Sequence, residues 1–176
     1  MCAIVTGLDV TSRNGGSYRL APALAEEFNA PTLDGSRWVA GTWAGGAYTP
    51  VPAAGLLTID AGASAWVRSQ ATYTHGELEF VGEFGAGAWQ HAGFAPVDFG
   101  SNQYLIFSTA GGDGNLYARA NNNASEQASN LGPIPTGVHR YHIEWSILDA
   151  ATDRVRFTID GQLRAEFALA AQGATN

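Results

Sequence analysis

An all-β, antiparallel fold is what the sequence predicts, and three observations predict it. Apolar and polar residues alternate along most of the chain, helical spacing is nearly absent, and turn-forming dipeptides recur at short intervals. Ten short strand-like runs separated by such turns match an antiparallel sandwich or a barrel. At 176 residues the chain has the length of one domain, enough to bury a core without staples. Hydrophobic residues make up 45 % and charged residues 14 %, with 22 Gly and 7 Pro, a balance that excludes disorder, coiled coil and collagen.

The runs follow in order. Residues 1–20 hold only a weak strand at Ala3-Ile4-Val5 and then Arg13-Asn14-Gly15-Gly16-Ser17, and read as an N-terminal extension or an edge strand. The best helical candidate, 21–28, is short and carries Pro22 near its start. Strands are then expected at 37–43, 55–60 and 65–70, with Asp34-Gly35 and Gly45-Gly46 as turns. In the run 76–84, Leu78, Phe80 and Phe84 share one face with Gly82, while Glu77, Glu79 and Glu83 share the other with Val81, so one face is core and one is wet. Runs at 89–94, 104–109 and 115–119 follow, with Gly111-Gly112-Asp113-Gly114 and Asn121-Asn122-Asn123 as turns. In 138–148, Tyr141, Ile143, Trp145 and Ile147 alternate with Arg140, His142, Glu144 and Ser146. The run 154–159 enters Asp160-Gly161, the dipeptide of a tight hairpin, and 164–169 completes a three-stranded meander.

Charge and cysteine content narrow the function classes. Nine Arg and no Lys stand against eight Asp and eight Glu, for a net charge of −7. The arginines form no basic run, which argues against nucleic acid, whereas an acidic surface favours neutral ligands such as sugars, or a hard cation. No apolar run approaches the ~20 residues of a membrane span, and Ala3-Ile4-Val5 is too short for a signal-peptide core. With Cys2 as its sole cysteine the chain has no internal disulfide and no zinc site built on several thiolates.

Taken in order, Glu27-Phe28, Leu33-Asp34-Gly35-Ser36-Arg37-Trp38, Gly55-Leu56-Leu57-Thr58-Ile59-Asp60 and Gly76-Glu77-Leu78-Glu79-Phe80 form the first half of a recognisable series. The second half is His91-Ala92-Gly93-Phe94, Phe107-Ser108-Thr109, Leu116-Tyr117-Ala118-Arg119, the stretch from His139 to Trp145, and Phe157-Thr158-Ile159-Asp160-Gly161. The series resembles the concanavalin A-like lectin/glucanase jelly rolls, among them the laminarin-G-like modules of bacterial surface proteins and the laminarinase-type glycoside hydrolases. The resemblance implies an antiparallel two-sheet jelly-roll sandwich over residues 21–176. It also implies a closing strand of Val-Asp-Trp type, which the polar end from Ala171 to Asn176 lacks. The expectation is a domain truncated at its C-terminus and missing its last strand, or one whose residues 1–20 supply that edge. A bacterial, extracellular or cell-surface protein with neighbouring domains is the setting it suggests, and the Ala, Gly and Arg bias without Lys agrees with a bacterial origin.

A laminarinase-type hydrolase, by that resemblance, needs two glutamates on one strand face with an aspartate between them; retaining hydrolysis requires their carboxyl groups roughly 5–5.5 Å apart. Glu79 and Glu83 have the spacing, but Val81 stands between them, so a solvated strand face is the expectation and catalysis by Glu79 and Glu83 the alternative. His75, His91, His139 and His142 come without a nucleophile elbow, a His-Glu-x-x-His helix or a phosphate loop. His139 and His142 lie three apart on a strand and face opposite ways.

Sugar binding needs aromatic platforms with polar groups beside them. Trp43, Tyr48, Trp66, Trp89 and Tyr104 are candidates, whereas alternation assigns Trp38 and Trp145 to the core. The best combination is Trp89 and His91 on one strand face, completed by His142, Glu144 and Glu79 from a neighbouring polar face. Asp98, Asn102, Asp113 and Asn115 lie in or beside Gly-containing loops where Ca2+ could sit, Asp113 and Asn115 being the better pair; turn chemistry accounts for them without an ion, and no cofactor is expected. Asn123-Ala124-Ser125 is a glycosylation sequon. The function expected is a non-catalytic carbohydrate-binding or adhesion/spacer module, contacting a polysaccharide or surface glycan within a larger exported protein. A laminarinase-type hydrolase and a structural assembly domain joined through strand edges are the alternatives.

Overall fold

The computed structural model describes residues 24–60, 62, 64–96, 103–123 and 125–171. The expectations placed on residues 1–20, on Asp98 and Asn102, on Ala124 of the sequon and on the closing edge at 172–176 lie outside them. Within them the architecture is all-β, antiparallel throughout and multi-sheet. No helix is long and apolar enough to cross a membrane among the described residues.

Residues 24–28 are not helical. The Glu26 carboxylate accepts the Phe28 amide at 3.0 Å, the Trp38 indole at 3.1 Å and the Arg37 guanidinium at 3.2 Å, which draws the segment onto the first strand instead of winding it. That strand, β1 (Trp38–Thr42), pairs with β2 (Ala65–Ser69) in a two-stranded sheet, in register from Trp38 opposite Ser69 to Thr42 opposite Ala65. The strand expected at 55–60 is absent. Ala54 and Gly55 both take positive φ (51° and 77°), so Ala53 and Leu56 close a two-residue turn as a single bridge. Pro50 and Pro52 have no N–H to give a ladder, and the Asp60 amide donates instead to the Tyr48 hydroxyl at 3.1 Å.

The remaining strands form two four-stranded sheets that pack face to face. β3 (Gly76–Gly82), β8 (His139–Asp149), β9 (Thr152–Ile159) and β10 (Gln162–Ala170) make one, in the order β10-β9-β8-β3. β4 (His91–Phe94), β5 (Gln103–Ser108), β6 (Asn115–Asn122) and β7 (Glu126–Pro133) make the other, in sequence order. The alternating faces meet between them: Phe80, Phe84, Tyr141, Ile143, Val155, Phe157 and Ile159 from the first sheet and its flanks, and Leu105, Phe107, Leu116, Ala118 and Ala120 from the second. Phe80 stacks on Tyr141 at 5.0 Å between ring centroids, and Phe107 meets Tyr141 and Phe157 edge-on at 5.1 Å each. Such pairs add about 0.5–1.5 kcal/mol each beyond the area they bury.

Three local expectations need correction. The sequence predicts no strand at 126–133, yet β7 pairs with β6 there. Its run Glu126-Gln127-Ala128-Ser129-Asn130 carries no β-branched or aromatic residue, and tertiary pairing on an edge overrides its weak propensity. Ile147 is 67 % exposed although its parity is that of the core residues, because β8 runs past the end of the sandwich and its pairing slips between Ile147 and Asp149. The expected hairpin at Asp160-Gly161 is present, both residues at positive φ (51° and 78°), but a bulge between Leu163 and Ala165 leaves Leu163 exposed.

One side of the sandwich is laced by side chains. Gln127 donates to the Ala168 carbonyl at 2.7 Å and Asn122 to the Ala170 carbonyl at 3.2 Å, while Arg164 donates back to the Leu131 carbonyl at 2.7 Å. These bonds join β10 to β6 and β7 and occupy acceptors on strands at the sheet edges.

Candidate functional site

Two outward faces carry the polar residues. On β3, β8, β9 and β10 the outer face is a ladder of ion pairs. Glu79 accepts from Arg140, His142 stands 3.3 Å from Glu77, Glu144 takes Arg154 at 3.1 Å and Arg156 at 3.6 Å, and Arg156 also reaches Glu166 at 3.1 Å. The meander thus gathers arginines that are scattered in sequence, each against a carboxylate. This face holds three of the expected ligand-binding residues, His142, Glu144 and Glu79, and Glu83 follows the end of β3.

Of the other two, His91 opens β4 in the opposite sheet, and Trp89 lies in the loop before it, because the strand expected from 89 begins only at His91. The single concave surface expected from all five residues is therefore not formed, because β4 pairs with β5 and not with β8. Ala92 and Phe94 pack on the core, so His91 points outward. The same face carries Tyr104 from β5, Tyr117 and Arg119 from β6, and Glu126 and Asn130 from β7. The register lines up His91, Ser108, Tyr117 and Asn130 across four strands, about 14 Å at the usual strand spacing.

Beside that row Arg119 lies over the Tyr104 ring, 5.5 Å from its centroid, and grips Glu126 through both Nε and Nη2, the latter at 2.9 Å. The hydrogen bonds with Arg119 hold the Glu126 carboxyl below its ordinary range and raise the guanidinium above its own. Burial, and secondly the Arg119 charge, lower the His91 pKa to about 4, so its imidazole is neutral at ordinary pH. Tyr117 donates to Asp113 at 2.6 Å and accepts from Asn130 at 3.4 Å. Alternation in 115–119 could have revealed Tyr117 and Arg119, because Leu116 and Ala118 between them read as core. Glu126 and Asn130 carry no such signal, since their run holds no β-branched or aromatic residue to mark a strand.

Trp89 stands at the end of this face on a built loop. It is 63 % exposed, has φ of 60°, and its ring lies 6.4 Å from that of His91. A bulky non-glycine residue at positive φ persists only where its surroundings enforce it. Here the enforcing group is Gln90, 1 % exposed, whose amide accepts from Gly85 N–H at 2.8 Å and donates to the Gly85 and Gly87 carbonyls at 2.9 and 2.8 Å. Thr109 completes the cage: its hydroxyl donates to the Gly87 carbonyl at 2.7 Å and accepts the Gln90 amide at 3.0 Å, and Trp89 N–H donates to the Ala110 carbonyl at 2.8 Å. Gly112, at φ of 79°, closes against Ala88, where a Cβ would come within 2.9 Å.

The other expected groups sit elsewhere. Asp113 uses its carboxylate on the Asn115 amide and the Tyr117 hydroxyl, and these bonds lower its pKa. No group of three or more His, Cys, Asp or Glu arranged to hold a metal occurs among the described residues. Trp38 packs on Phe28 at 5.8 Å, Arg68 lies over Trp66 at 5.6 Å, and the Tyr48 hydroxyl donates to the Thr58 carbonyl at 3.2 Å, so these aromatics serve the N-terminal strands. Trp43 is exposed beyond β1. Trp145 borders the core and donates at 3.0 Å to Asp153, a carboxylate 2 % exposed that also meets His75 at 3.2 Å.

No family model, curated protein or solved structure matches the chain. The chemistry of the site therefore rests on its own groups. The face offers an exposed indole on a held backbone, a neutral imidazole, an amide and phenols. Those are the groups that stack on the apolar faces of sugars and hydrogen-bond their hydroxyls.

Proposed function

We propose that this chain is a non-catalytic carbohydrate-binding module with a concanavalin A-like jelly-roll sandwich, acting as an adhesion or spacer unit of a larger exported bacterial protein. Trp89 is the platform on which a pyranose ring stacks. Tyr117 and Asn130 contact the hydroxyls of a short glycan that reaches from Trp89 to β6 and β7, and the buried Ser108 takes no part. The observation that carries this reading is the Gln90–Thr109 cage, a buried polar network whose product is one exposed, strained tryptophan. A packing tryptophan needs no such support.

Titration of a panel of β-glucans, galactans and alginate, read by tryptophan fluorescence, tests it, with a reducing-sugar assay on the same samples. Saturable binding without turnover is expected, and Trp89→Ala should lower affinity by about tenfold or more, the equivalent of one stacking contact. Glu79→Gln, on the opposite sheet, should leave affinity as it was. Silence across the panel overturns the reading, as does turnover abolished by Glu79→Gln or Glu83→Gln.

A further inference from the structure

Resting on the glycan-binding reading, we infer that Glu126 sets the charge class of the ligand: by holding Arg119 it reserves the outer face of β4 to β7 for neutral glycans and turns away uronates.

Arg119 is the one guanidinium among the residues assigned to this face. It is placed where a sugar carboxylate would seek it, beside His91 and over the Tyr104 ring. Left to itself it would be a uronate receptor, because a planar guanidinium pairs a carboxylate through two parallel hydrogen bonds. Glu126 already makes that pairing, through Nε and Nη2. The two side chains are only 19 % and 31 % exposed, so the pair is partly shielded from solvent.

A ligand carboxylate would have to displace one tethered a strand away, whose effective concentration is on the order of millimolar or higher. If it entered beside the intact pair, two carboxylates would face each other in a partly desolvated place, which is repulsive. Ala128, directly opposite Arg119 in the ladder, leaves room for a ligand on that side without offering a competing charge. The neutral His91 adds no cation that could rescue an acidic sugar. The remaining contacts, Trp89, Tyr117 and Asn130, suit hydroxyls and ring faces of any glycan. The discrimination therefore lies in one ion pair.

The experiment compares a neutral β-glucan hexasaccharide with an oligouronate of the same length, on the wild-type chain, Glu126→Gln, Glu126→Ala and the double variant Glu126→Gln/Arg119→Gln. Circular dichroism melts confirm folding. Wild type should bind the neutral ligand and reject the oligouronate. Both single variants should gain oligouronate affinity by about tenfold or more, the size a charge-assisted bidentate pair supplies, and the double variant should lose that gain. In about 1 M salt, where the Debye length is about 3 Å, rejection due only to the net charge of −7 would fade, whereas rejection by Glu126 should persist. Equal wild-type affinity for both ligands, or no gain in either single variant, overturns the inference while the glycan reading stands. No binding of either ligand by any variant overturns both.

Discussion

Gln90 shows how a buried side chain sets the backbone of the exposed residue beside it. Its amide pairs with one donor and two acceptors of the loop 85–87, sharing the Gly87 carbonyl with the Thr109 hydroxyl. Gln90→Ala removes all three bonds and leaves the half-buried Gly85 N–H and C=O without this partner, and should cost about 1–3 kcal/mol. It should also lower glycan affinity, because Trp89 would relax from φ of 60°. Urea denaturation and fluorescence titration of the same variant check both, and destabilisation with unchanged affinity would detach the cage from the platform. At this scale the sequence was partly legible. Trp89 and His91 were marked by parity on one strand, but Gln90 looked like one more polar residue, because a glutamine's burial depends on loops that fold over it.

At the scale of elements, the β9–β10 hairpin carries a pH-sensitive clasp. His139, at the start of β8, directs Nδ1 to Asp160 at 2.6 Å and Nε2 to the Thr136 carbonyl at 3.2 Å. Both partners are acceptors, so both ring nitrogens must be protonated. The Asp160 hydrogen bond above all raises the His139 pKa, and the His139 hydrogen bond above all lowers that of Asp160. The histidine's contribution is complete below its unfolded pKa of about 6.5 and is lost as pH rises through its raised folded value. The aspartate's contribution is complete above its unfolded pKa of about 3.9 and is lost as pH falls through its lowered folded value. Unfolding free energies of wild type and His139→Gln should therefore differ most between about pH 4 and 6.5 and converge at higher pH; a difference that grows above pH 7 would contradict the clasp. The hairpin itself was readable, since Asp160-Gly161 suits a turn with two positive φ values. The clasp was not, because His139 and Asp160 are twenty-one residues apart and meet only after β8 and β9 pair. β7 fails the opposite way: with no propensity of its own, it is a strand because β6 offers it an edge.

For the whole molecule, the lacing of β10 to β6 and β7 is the feature with consequences for solution behaviour. Unsatisfied carbonyls along an edge strand invite pairing with another chain. Asn122→Ala/Gln127→Ala strips the Ala170 and Ala168 carbonyls of their side-chain donors. Sedimentation velocity over a concentration series should then show self-association beyond that of wild type, and identical profiles would show that the lacing does not guard this edge. By itself the sequence determined the strand-rich class, the inward set in 76–84, the β8-β9-β10 meander and the tight hairpin, because each rests on period-two alternation or local turn chemistry. The tertiary structure alone decided which outward faces meet. Parity states only that His91 and His142 both face out, whereas sheet membership, set by which strands pair over long separations, puts them on opposite sides of the core and joins His91 to Arg119 and Glu126 instead.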